Sequence, residues 1–285
     1  MGPDAPCRFG MTDRIRAALA TAAARLADVS GTPRLDAELL MAHALGVSRE
    51  RLLLGHMDDA PPAAFWALLA RRLAYEPVAY ITGTRDFWTI ALHITPDVLI
   101  PRPDSETLIE AAAESLPREG TLRFLDLGTG SGALLLAALD QWPESTGVGV
   151  DSSAAALAVA AKNARRLGLG DRAAFVRGDW AQSLWGRFHG IFCNPPYIES
   201  TARLPRDVAD YEPAGALFAG VDGLDDYRRL IPQLPALLAP EGRAFLEIGS
   251  AQAGPVIEIA AAAGLGATTR RDMAGLDRCI ILQRL

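Results

Sequence analysis

Apolar residues recur at three- and four-residue spacing in the first quarter of the chain, from about residue 12 to residue 75. In the first segment the recurring apolar positions are Ile15, Leu19, Ala22, Ala23 and Leu26. This spacing places them on one face of a helix. Thr12 or Asp13 can cap the start of that helix, because either side chain can accept a hydrogen bond from a free backbone N–H group.

Two further helices are predicted in the same part of the chain. One spans Pro33–Leu45, where proline suits the first helical position and Gly46 suits the stop. The other spans residues 63–74, and its apolar residues are Phe65, Trp66, Leu69 and Leu73. We therefore predict a small helical domain over residues 1–80.

The pattern then changes from helical spacing to alternation. Residues 81–103 form a predicted hairpin-like connector, in which Ile90, Leu92 and Ile94 alternate with other residues. Over residues 104–285 the predicted strands are 122–127, 147–150, 173–177, 190–193, 242–248 and 278–283, and the predicted helices are 104–115, 133–141, 154–166, 222–238 and 252–263. This alternation predicts an α/β domain with an open, mostly parallel, doubly wound sheet that binds ligands above the carboxyl ends of its strands.

The amino-acid composition indicates which binding partners and which cellular compartment to expect. The 285 residues carry a net charge of −6 and show no basic cluster, so tight non-specific binding of nucleic acid has no evident electrostatic source. The four histidines lack metal-ligand spacing, and we predict no metal site. Three scattered cysteines argue against a disulfide framework and for a reducing compartment. With neither a signal-peptide pattern nor an apolar run long enough to span a bilayer, the expected location is the cytoplasm, away from membranes.

The stretch Asn194-Pro195-Pro196-Tyr197 is the most informative chemical signal. It follows an apolar run at 190–193 that is short enough to be a buried strand. Two adjacent prolines cannot continue a central strand, because neither has an N–H group for the ladder. The resulting loop offers carbonyl oxygens and one asparagine amide, which suits a planar NH2 group, with the Tyr197 ring beside it. A proline turn that merely caps a strand is the simpler interpretation of these four residues alone.

A glycine-rich turn follows the first predicted strand of the α/β domain. Gly128-Thr129-Gly130-Ser131-Gly132 lets the backbone lie close to a ligand, and Asp151 ends the next strand, where it can accept both hydroxyls of a ribose. The same spacing also fits a nicotinamide dinucleotide site. A plain strand–helix connection is the alternative without a ligand.

Two further strand ends favour an adenosine ligand. Asp179 and Trp180 follow the third strand and supply a carboxylate for an adenine amino group and a flat ring beside the base. Taken alone, this pair is more often a cap with packing. Together with the glycine turn, Asp151 and the Asn194 loop, four consecutive strand ends carry the residues that an adenosine ligand and an amine acceptor need.

This constellation resembles the class I S-adenosylmethionine-dependent methyltransferases that act on planar NH2 groups. Within that superfamily the chain looks like the HemK/PrmC family. The stretches that carry this resemblance are residues 83–88 (Gly-Thr-Arg-Asp-Phe-Trp), 100–106 (Ile-Pro-Arg-Pro-Asp-Ser-Glu), 211–213 (Tyr-Glu-Pro) and Arg271-Asp272 with Gly275 and Arg278. The resemblance runs from about residue 34 to the C-terminus, with serine at 105 and 131 where threonine is common.

The resemblance implies a substrate and a set of roles. Members of the HemK/PrmC family methylate the side-chain amide nitrogen of the glutamine in the Gly-Gly-Gln motif of peptide chain release factors. S-adenosylmethionine is the methyl donor and S-adenosylhomocysteine the product. Carried onto this chain, Gly128 to Gly132, Asp151, Asp179, Trp180 and Asn194 bind the cofactor, and Asn194, Pro195, Pro196 and Tyr197 hold the glutamine amide, with Asn194 the catalytic residue. The resemblance thus implies a helical docking domain (1–80), the connector (81–103) and a methyltransferase domain (104–285).

Three other interpretations remain open on the residues. An exocyclic-amine methyltransferase on DNA or RNA would need a basic face or a target-recognition domain. A nicotinamide dehydrogenase would leave the Asn194 loop without a purpose, and a binding module would hold the cofactor without turnover. Phe87 can wall the pocket and Glu247 can orient the loop, although core packing and a strand-end hydrogen bond explain these two residues slightly better.

Overall fold

The computed structural model describes residues 14–182 and 184–285. The α-helices are, in chain order, α1 (Ile15–Leu26), α2 (Pro33–Leu45), α3 (Arg49–Gly55), α4 (Ala63–Leu73), α5 (Val78–Thr82), α6 (Glu106–Ser115), α7 (Ala133–Gln141), α8 (Ala154–Arg166), α9 (Arg206–Ala209), α10 (Asp225–Leu230), α11 (Leu234–Leu237) and α12 (Ala253–Ala262). The strands are β1 (Thr84–Phe87), β2 (Ile90–His93), β3 (Arg123–Leu127), β4 (Thr146–Asp151), β5 (Ala173–Arg177), β6 (Phe188–Cys193), β7 (Leu238–Glu247), β8 (Leu265–Arg271) and β9 (Asp277–Arg284). Short 3-10 turns cover Pro103–Ser105, Ala214–Ala216 and Ile231–Gln233. Within the described residues the chain divides into two compact units, residues 14–83 with 206–211, and residues 84–182 and 184–205 with 212–285.

The helical unit is built as the apolar spacing predicts. Its fully buried side chains include Ile15, Leu19, Leu26, Leu40, Met41, Leu52, Phe65 and Leu69. Helix α2 begins at Pro33 and ends at Gly46, whose φ of +67° allows its N–H group to bond back to Ala42 and His43. Helix α3 begins after Ser48, whose hydroxyl accepts a hydrogen bond from the Arg51 N–H group.

A buried ion pair holds α4 to α2 within this unit. The guanidinium of Arg72 donates to Asp36 at 2.8 Å, and both side chains are less than a tenth exposed. The same guanidinium lies 3.5 Å from Asp207, which belongs to the discontinuous segment 206–211. Tyr211 of that segment donates its hydroxyl to the carbonyl of Ala74 at 2.8 Å. Residues far along the sequence therefore complete the helical unit.

The second unit contains a seven-stranded sheet in the order β5-β4-β3-β6-β7-β9-β8. Pairing is parallel from β5 to β7, whereas β9 and β8 are antiparallel. Strands β3, β6 and β7 are buried at most positions, as expected for strands covered on both faces. Chain order reverses between β3 and β6, and such a switch point opens a crevice at the carboxyl ends of the strands. Strands β1 and β2 form a separate antiparallel hairpin.

The structure changes several predicted elements. The single helix predicted over 222–238 is instead α10, a 3-10 turn and α11, because Pro232 and Pro235 lack the N–H groups that a continuous helix needs. Strand β8 was not predicted, since its sequence has little apolar alternation, and helices α3, α5 and α9 were also missed. The predicted helix start at residue 104 is a 3-10 turn that leads into α6. The predicted caps Thr12 and Asp13 lie outside the described residues.

The buried ion pair between Arg72 and Asp36 leads to a prediction about stability. Replacing Arg72 with alanine leaves Asp36 buried without its cation, which should destabilise the helical unit by about 3–5 kcal/mol. Arg71→Ala is the matched control, because Arg71 pairs with Glu76 through a side chain that is 44% exposed, and such pairs contribute about 0.2–1 kcal/mol. Native-state hydrogen exchange of α2 and α4 measures both. Equal losses in the two variants would show that the Arg72 pair is not a structural tie.

Candidate active site

A cavity of about 370 Å³ opens at the carboxyl ends of β3, β4 and β6, and every residue that lines it belongs to the second unit. Of the predicted cofactor residues, all but Gly132 line it. Gly132 instead begins α7, where an added Cβ would lie 3.0 Å from Leu136. Asn194 and Pro196 line the cavity, while Pro195 is buried and Tyr197 is turned toward Glu247. The structure thus gathers most of the predicted site around one cavity.

The glycine-rich turn is bent by contacts to the neighbouring strand. The N–H groups of Gly128 and Thr129 both donate to the carbonyl of Val150 at 2.9 Å. Gly128 has a φ of +74°, a conformation that favours glycine, and an added Cβ would lie in ordinary contact with the Trp180 ring at 3.4 Å. An added Cβ on Gly130 meets nothing within 4 Å, which leaves open space beside the turn.

Asp151 links the end of β4 to the turn. Its Oδ2 accepts from the Gly130 N–H group at 2.9 Å, and its Oδ1 accepts from the Ser153 N–H group at 2.9 Å. These bonds fix the carboxylate while each oxygen keeps acceptor capacity. A ligand with two neighbouring hydroxyl groups fits such an arrangement.

Asp126 lies below the turn and is 1% exposed. Its Oδ2 accepts from the Thr129 hydroxyl at 2.6 Å, and its buried Oδ1 finds no hydrogen-bond partner within the described residues. The pKa of Asp126 is raised from its ordinary 3.8 to about 7, mainly by burial; the hydrogen bond from Thr129 opposes this rise, and the nearby charge of Asp151 adds to it. An unpaired carboxyl oxygen beside a cavity is available to a cationic or hydrogen-bonding ligand.

Asp179 and Trp180, which are predicted to bind adenine, are held in place by different contacts. Trp180 has a φ of +50°, and its indole N–H donates to Asp226 at 3.2 Å, which fixes the ring against Gly128. Burial raises the pKa of Asp226. The Asp179 carboxylate accepts two bonds from Arg229, at 2.7 and 2.8 Å, and is half exposed. An adenine amino group would therefore share that carboxylate with Arg229.

The Asn194 loop is tied to two other segments. The Asn194 amide nitrogen donates to the Ser105 hydroxyl at 3.1 Å, and the Tyr197 hydroxyl donates to Glu247 at 3.1 Å. Burial raises the pKa of Tyr197, so this hydroxyl keeps its proton. The carbonyl of Tyr197 accepts from the Gln252 amide at 3.0 Å. These three hydrogen bonds hold the loop after β6 to neighbouring segments.

Several residues outside the predicted set of site residues support the cavity walls. Phe87, which was a weaker candidate, lines the cavity and is 1% exposed. Asn163 bonds both the N–H and carbonyl groups of His93 and also the carbonyl of Ser131, so it ties the hairpin to the glycine turn. Glu212 is buried and accepts from the Ile100 N–H group and from Arg102. The sequence signal that could have identified Glu212 is its place in the Tyr-Glu-Pro stretch, which carries part of the family resemblance.

The cavity has an acidic lining. Its charged residues are Asp97, Asp126, Asp151, Asp179, Asp226 and Arg229. This balance favours a ligand that carries positive charge. Among the described residues, no cluster of three or more His, Cys, Asp or Glu is placed to hold a metal ion.

Comparison with known proteins identifies the family. A family model described as the PrmC N-terminal domain matches residues 17–83, and one described as the methyltransferase small domain matches residues 104–209. A release factor glutamine methyltransferase of Rhodospirillum rubrum is 45% identical over 258 residues, which cover 88% of this chain and 79% of that protein. This chain belongs to the release factor glutamine methyltransferase family. A member from Moorella thermoacetica is 41% identical over 280 residues, covering 95% of this chain and 98% of that protein.

A solved structure supports the fold independently of close sequence similarity. A methyltransferase from Pyrococcus furiosus matches with a TM-score of 0.52 and 17% identity, covering 75% of this chain and 95% of that one. The predicted class I methyltransferase fold and the predicted family are thus both confirmed. The roles assigned to the individual site residues stay predictions.

The buried Asp126 predicts how stability varies with pH. Between pH 3.8 and about 7 the folded protein holds a proton on Asp126 that the unfolded chain has lost. The free energy of unfolding should therefore fall as pH rises through this window and level off above it. Asp126→Asn keeps an oxygen for Thr129 and cannot ionise, so its stability relative to the unaltered protein should grow by an amount on the order of 4 kcal/mol from pH 4 to pH 7. Urea unfolding at a series of pH values measures the difference, and a constant difference would contradict the shift.

Proposed function

We propose that this protein transfers the methyl group of S-adenosylmethionine to the side-chain amide nitrogen of the glutamine in the Gly-Gly-Gln motif of peptide chain release factors. One observation carries the proposal. The cavity ends in a loop whose prolines have no N–H groups and whose Asn194 turns its amide nitrogen toward Ser105. The Asn194 oxygen then points away from Ser105 as an acceptor. An acceptor of this kind recognises an NH2 group.

The residues of the cavity suit S-adenosylmethionine. Its positive charge matches the acidic lining, its ribose hydroxyls match the Asp151 carboxylate, and its adenine matches the flat Trp180 ring. The glycine turn leaves open space at Gly130 for close approach of the ligand. We propose that Gly128, Thr129, Gly130 and Ser131 line the cofactor, with Gly132 setting the turn from behind.

The cofactor supplies a methyl group on a positively charged sulfur. An amide nitrogen is a weak nucleophile, because its lone pair is delocalised into the carbonyl group. When the Asn194 oxygen and a carbonyl of the proline loop accept its two hydrogens, the lone pair can be directed at the methyl carbon. The new N–C bond takes the place of the S–C bond, whose electrons return to sulfur. The nitrogen then loses a proton to water, so no residue needs a tuned pKa.

We propose a protein surface rather than a nucleic acid as the partner. The net charge of −6 would oppose many phosphate contacts. In the helical unit, Leu54 is 89% exposed, so this large apolar side chain is accessible to another protein. We propose residues 1–80 as the docking domain for the release factor. No helix in the described part of the chain has the length and apolar character needed to cross a membrane.

Labelled methyl transfer tests the function directly. Purified protein with labelled S-adenosylmethionine should label whole release factor, and replacing the target glutamine should abolish the label. A short peptide containing that glutamine should be a poor acceptor, because it lacks the docking surface. Duplex DNA and ribosomal RNA are the parallel acceptors, and faster labelling of either would overturn the substrate assignment.

Two substitutions should separate cofactor binding from transfer. Asp151→Ala should weaken cofactor binding by about 2–4 kcal/mol through the loss of charge-assisted hydrogen bonds. Asn194→Ala should lower the single-turnover rate by about 10²–10³, because the acceptor nitrogen loses its orientation.

Calorimetry with the cofactor and single-turnover kinetics with saturating cofactor measure the two effects, and each variant is the control for the other. Unchanged cofactor affinity in Asp151→Ala would remove this residue from the cofactor site. A near-normal rate in Asn194→Ala would remove that residue from catalysis.

A further inference from the structure

One buried carboxylate holds both ends of the Asn194–Tyr197 loop. Glu247, at the end of β7, is 1% exposed. Its Oε1 accepts from the Tyr197 hydroxyl at 3.1 Å, and its Oε2 accepts a short hydrogen bond from the Ser105 hydroxyl. The Ser105 oxygen in turn accepts from the Asn194 amide nitrogen at 3.1 Å. Three hydrogen bonds therefore connect Glu247 to the loop.

The chemistry of these groups fixes the direction of the chain of hydrogen bonds. Ser105 donates its single hydroxyl hydrogen to Glu247. The Ser105 oxygen then has only lone pairs for Asn194, which must present its NH2 group. The Asn194 oxygen is forced to the opposite side. Burial raises the pKa of Glu247, and the hydrogen bonds from Ser105 and Tyr197 and the charge of Arg278 oppose that rise.

We propose that Ser105 and Glu247 are positioning residues that set the orientation of the Asn194 amide, and thereby make the site select an NH2 group over a carboxylate. This inference rests on the proposed function, in which the Asn194 oxygen accepts from the glutamine amide. We call the two hydrogen bonds from Asn194 to Ser105 and from Ser105 to Glu247 the relay. If the relay is broken, the Asn194 amide can rotate by 180° and present its own NH2 group. The site then loses its acceptor and gains a donor.

The turn that carries Ser105 is itself held in place. Ser105 is 3% exposed and ends the 3-10 turn Pro103–Ser105 ahead of α6. Its neighbour Asp104 lies 3.4 Å from Arg278, which also pairs with Asp272 at 3.2 Å. The Ser105 hydroxyl is therefore presented to Glu247 and Asn194 by a turn that one ion pair, between Asp104 and Arg278, connects to β9.

The test compares three variants of the full-length protein. Ser105→Ala removes the relay hydroxyl. Ser105→Thr keeps it. Ser145→Ala is the matched control, because Ser145 is also fully buried and accepts one hydrogen bond, from the Leu122 N–H group, at the opposite end of the strands.

The first readout is the single-turnover rate of methyl transfer to whole release factor with saturating cofactor. Ser105→Ala should lower this rate about tenfold or more, with the cofactor Kd changed less than about twofold. Ser105→Thr should restore most of the rate, and Ser145→Ala should lose stability while it keeps the rate. If Ser105→Ala keeps the rate, or if Ser105→Ala and Ser105→Thr lose it equally, the relay is overturned.

The second readout is a ratio of two binding parameters, which a loss of packing alone would not change. A release factor whose target glutamine is replaced by glutamate cannot accept the methyl group and acts as a competing ligand. The unaltered protein should discriminate against it, because the Asn194 oxygen faces another acceptor. In Ser105→Ala the amide can turn, so the ratio of the inhibition constant for the glutamate form to the KM for the glutamine form should fall about tenfold. An unchanged ratio in a folded, cofactor-binding Ser105→Ala overturns the inference.

Glu247→Gln provides a further check, should Ser105→Ala fold poorly. A glutamine at 247 can accept only one of the two hydroxyls through its oxygen and must direct its NH2 group at the other. It should lower the transfer rate as well, and full activity would overturn the relay. If the unaltered protein labels no release factor, the proposed function fails and this inference fails with it. An active unaltered protein with an unaffected Ser105→Ala overturns this inference alone.

Discussion

Removing a carboxylate from water costs several kcal/mol unless other donors replace the lost hydrogen bonds. Glu247 meets this requirement with a hydroxyl from the turn before α6 and another from the loop after β6. Its own backbone carbonyl also accepts from the buried Tyr227 hydroxyl at 2.7 Å. Segments that are far apart in the sequence are thereby held to the end of β7. The geometry of the candidate site depends on satisfying this one buried charge.

Burying the acidic residues that line the cavity also costs free energy of folding. Asp126 is buried with one oxygen unpaired within the described residues, and Asp226 is partly buried against Trp180. Burial raises the pKa of both carboxyl groups, which means that the folded protein without a ligand holds them less favourably than water does. A positively charged ligand can recover part of that cost. The same arrangement therefore lowers the stability of the free protein and favours binding.

The parts of the site that the sequence predicts are those with local signals. A glycine turn between a strand and a helix, and two prolines that end a strand, determine their own backbone geometry. Glu247 and Ser105 could not be connected in this way, because they are 142 positions apart and only strand packing brings them together. Asn163 was missed for the same reason, since nothing in a helical segment shows that its amide bonds His93. Strand β8 escaped prediction because its pairing with β9, rather than its own pattern, makes it a strand.

The discontinuous helical unit has a consequence for how this protein can be inherited or divided. Residues 206–211 contribute Asp207 and Tyr211 to a unit that otherwise ends at Gly83. A recombination event with its junction at residue 83 would transfer the helices without the segment that completes them, and would leave that segment behind in the other gene product. Exchange of the helical unit between genes would therefore need three matched junctions, after residues 83, 205 and 211. The two units are expected to pass from ancestor to descendant as a single block.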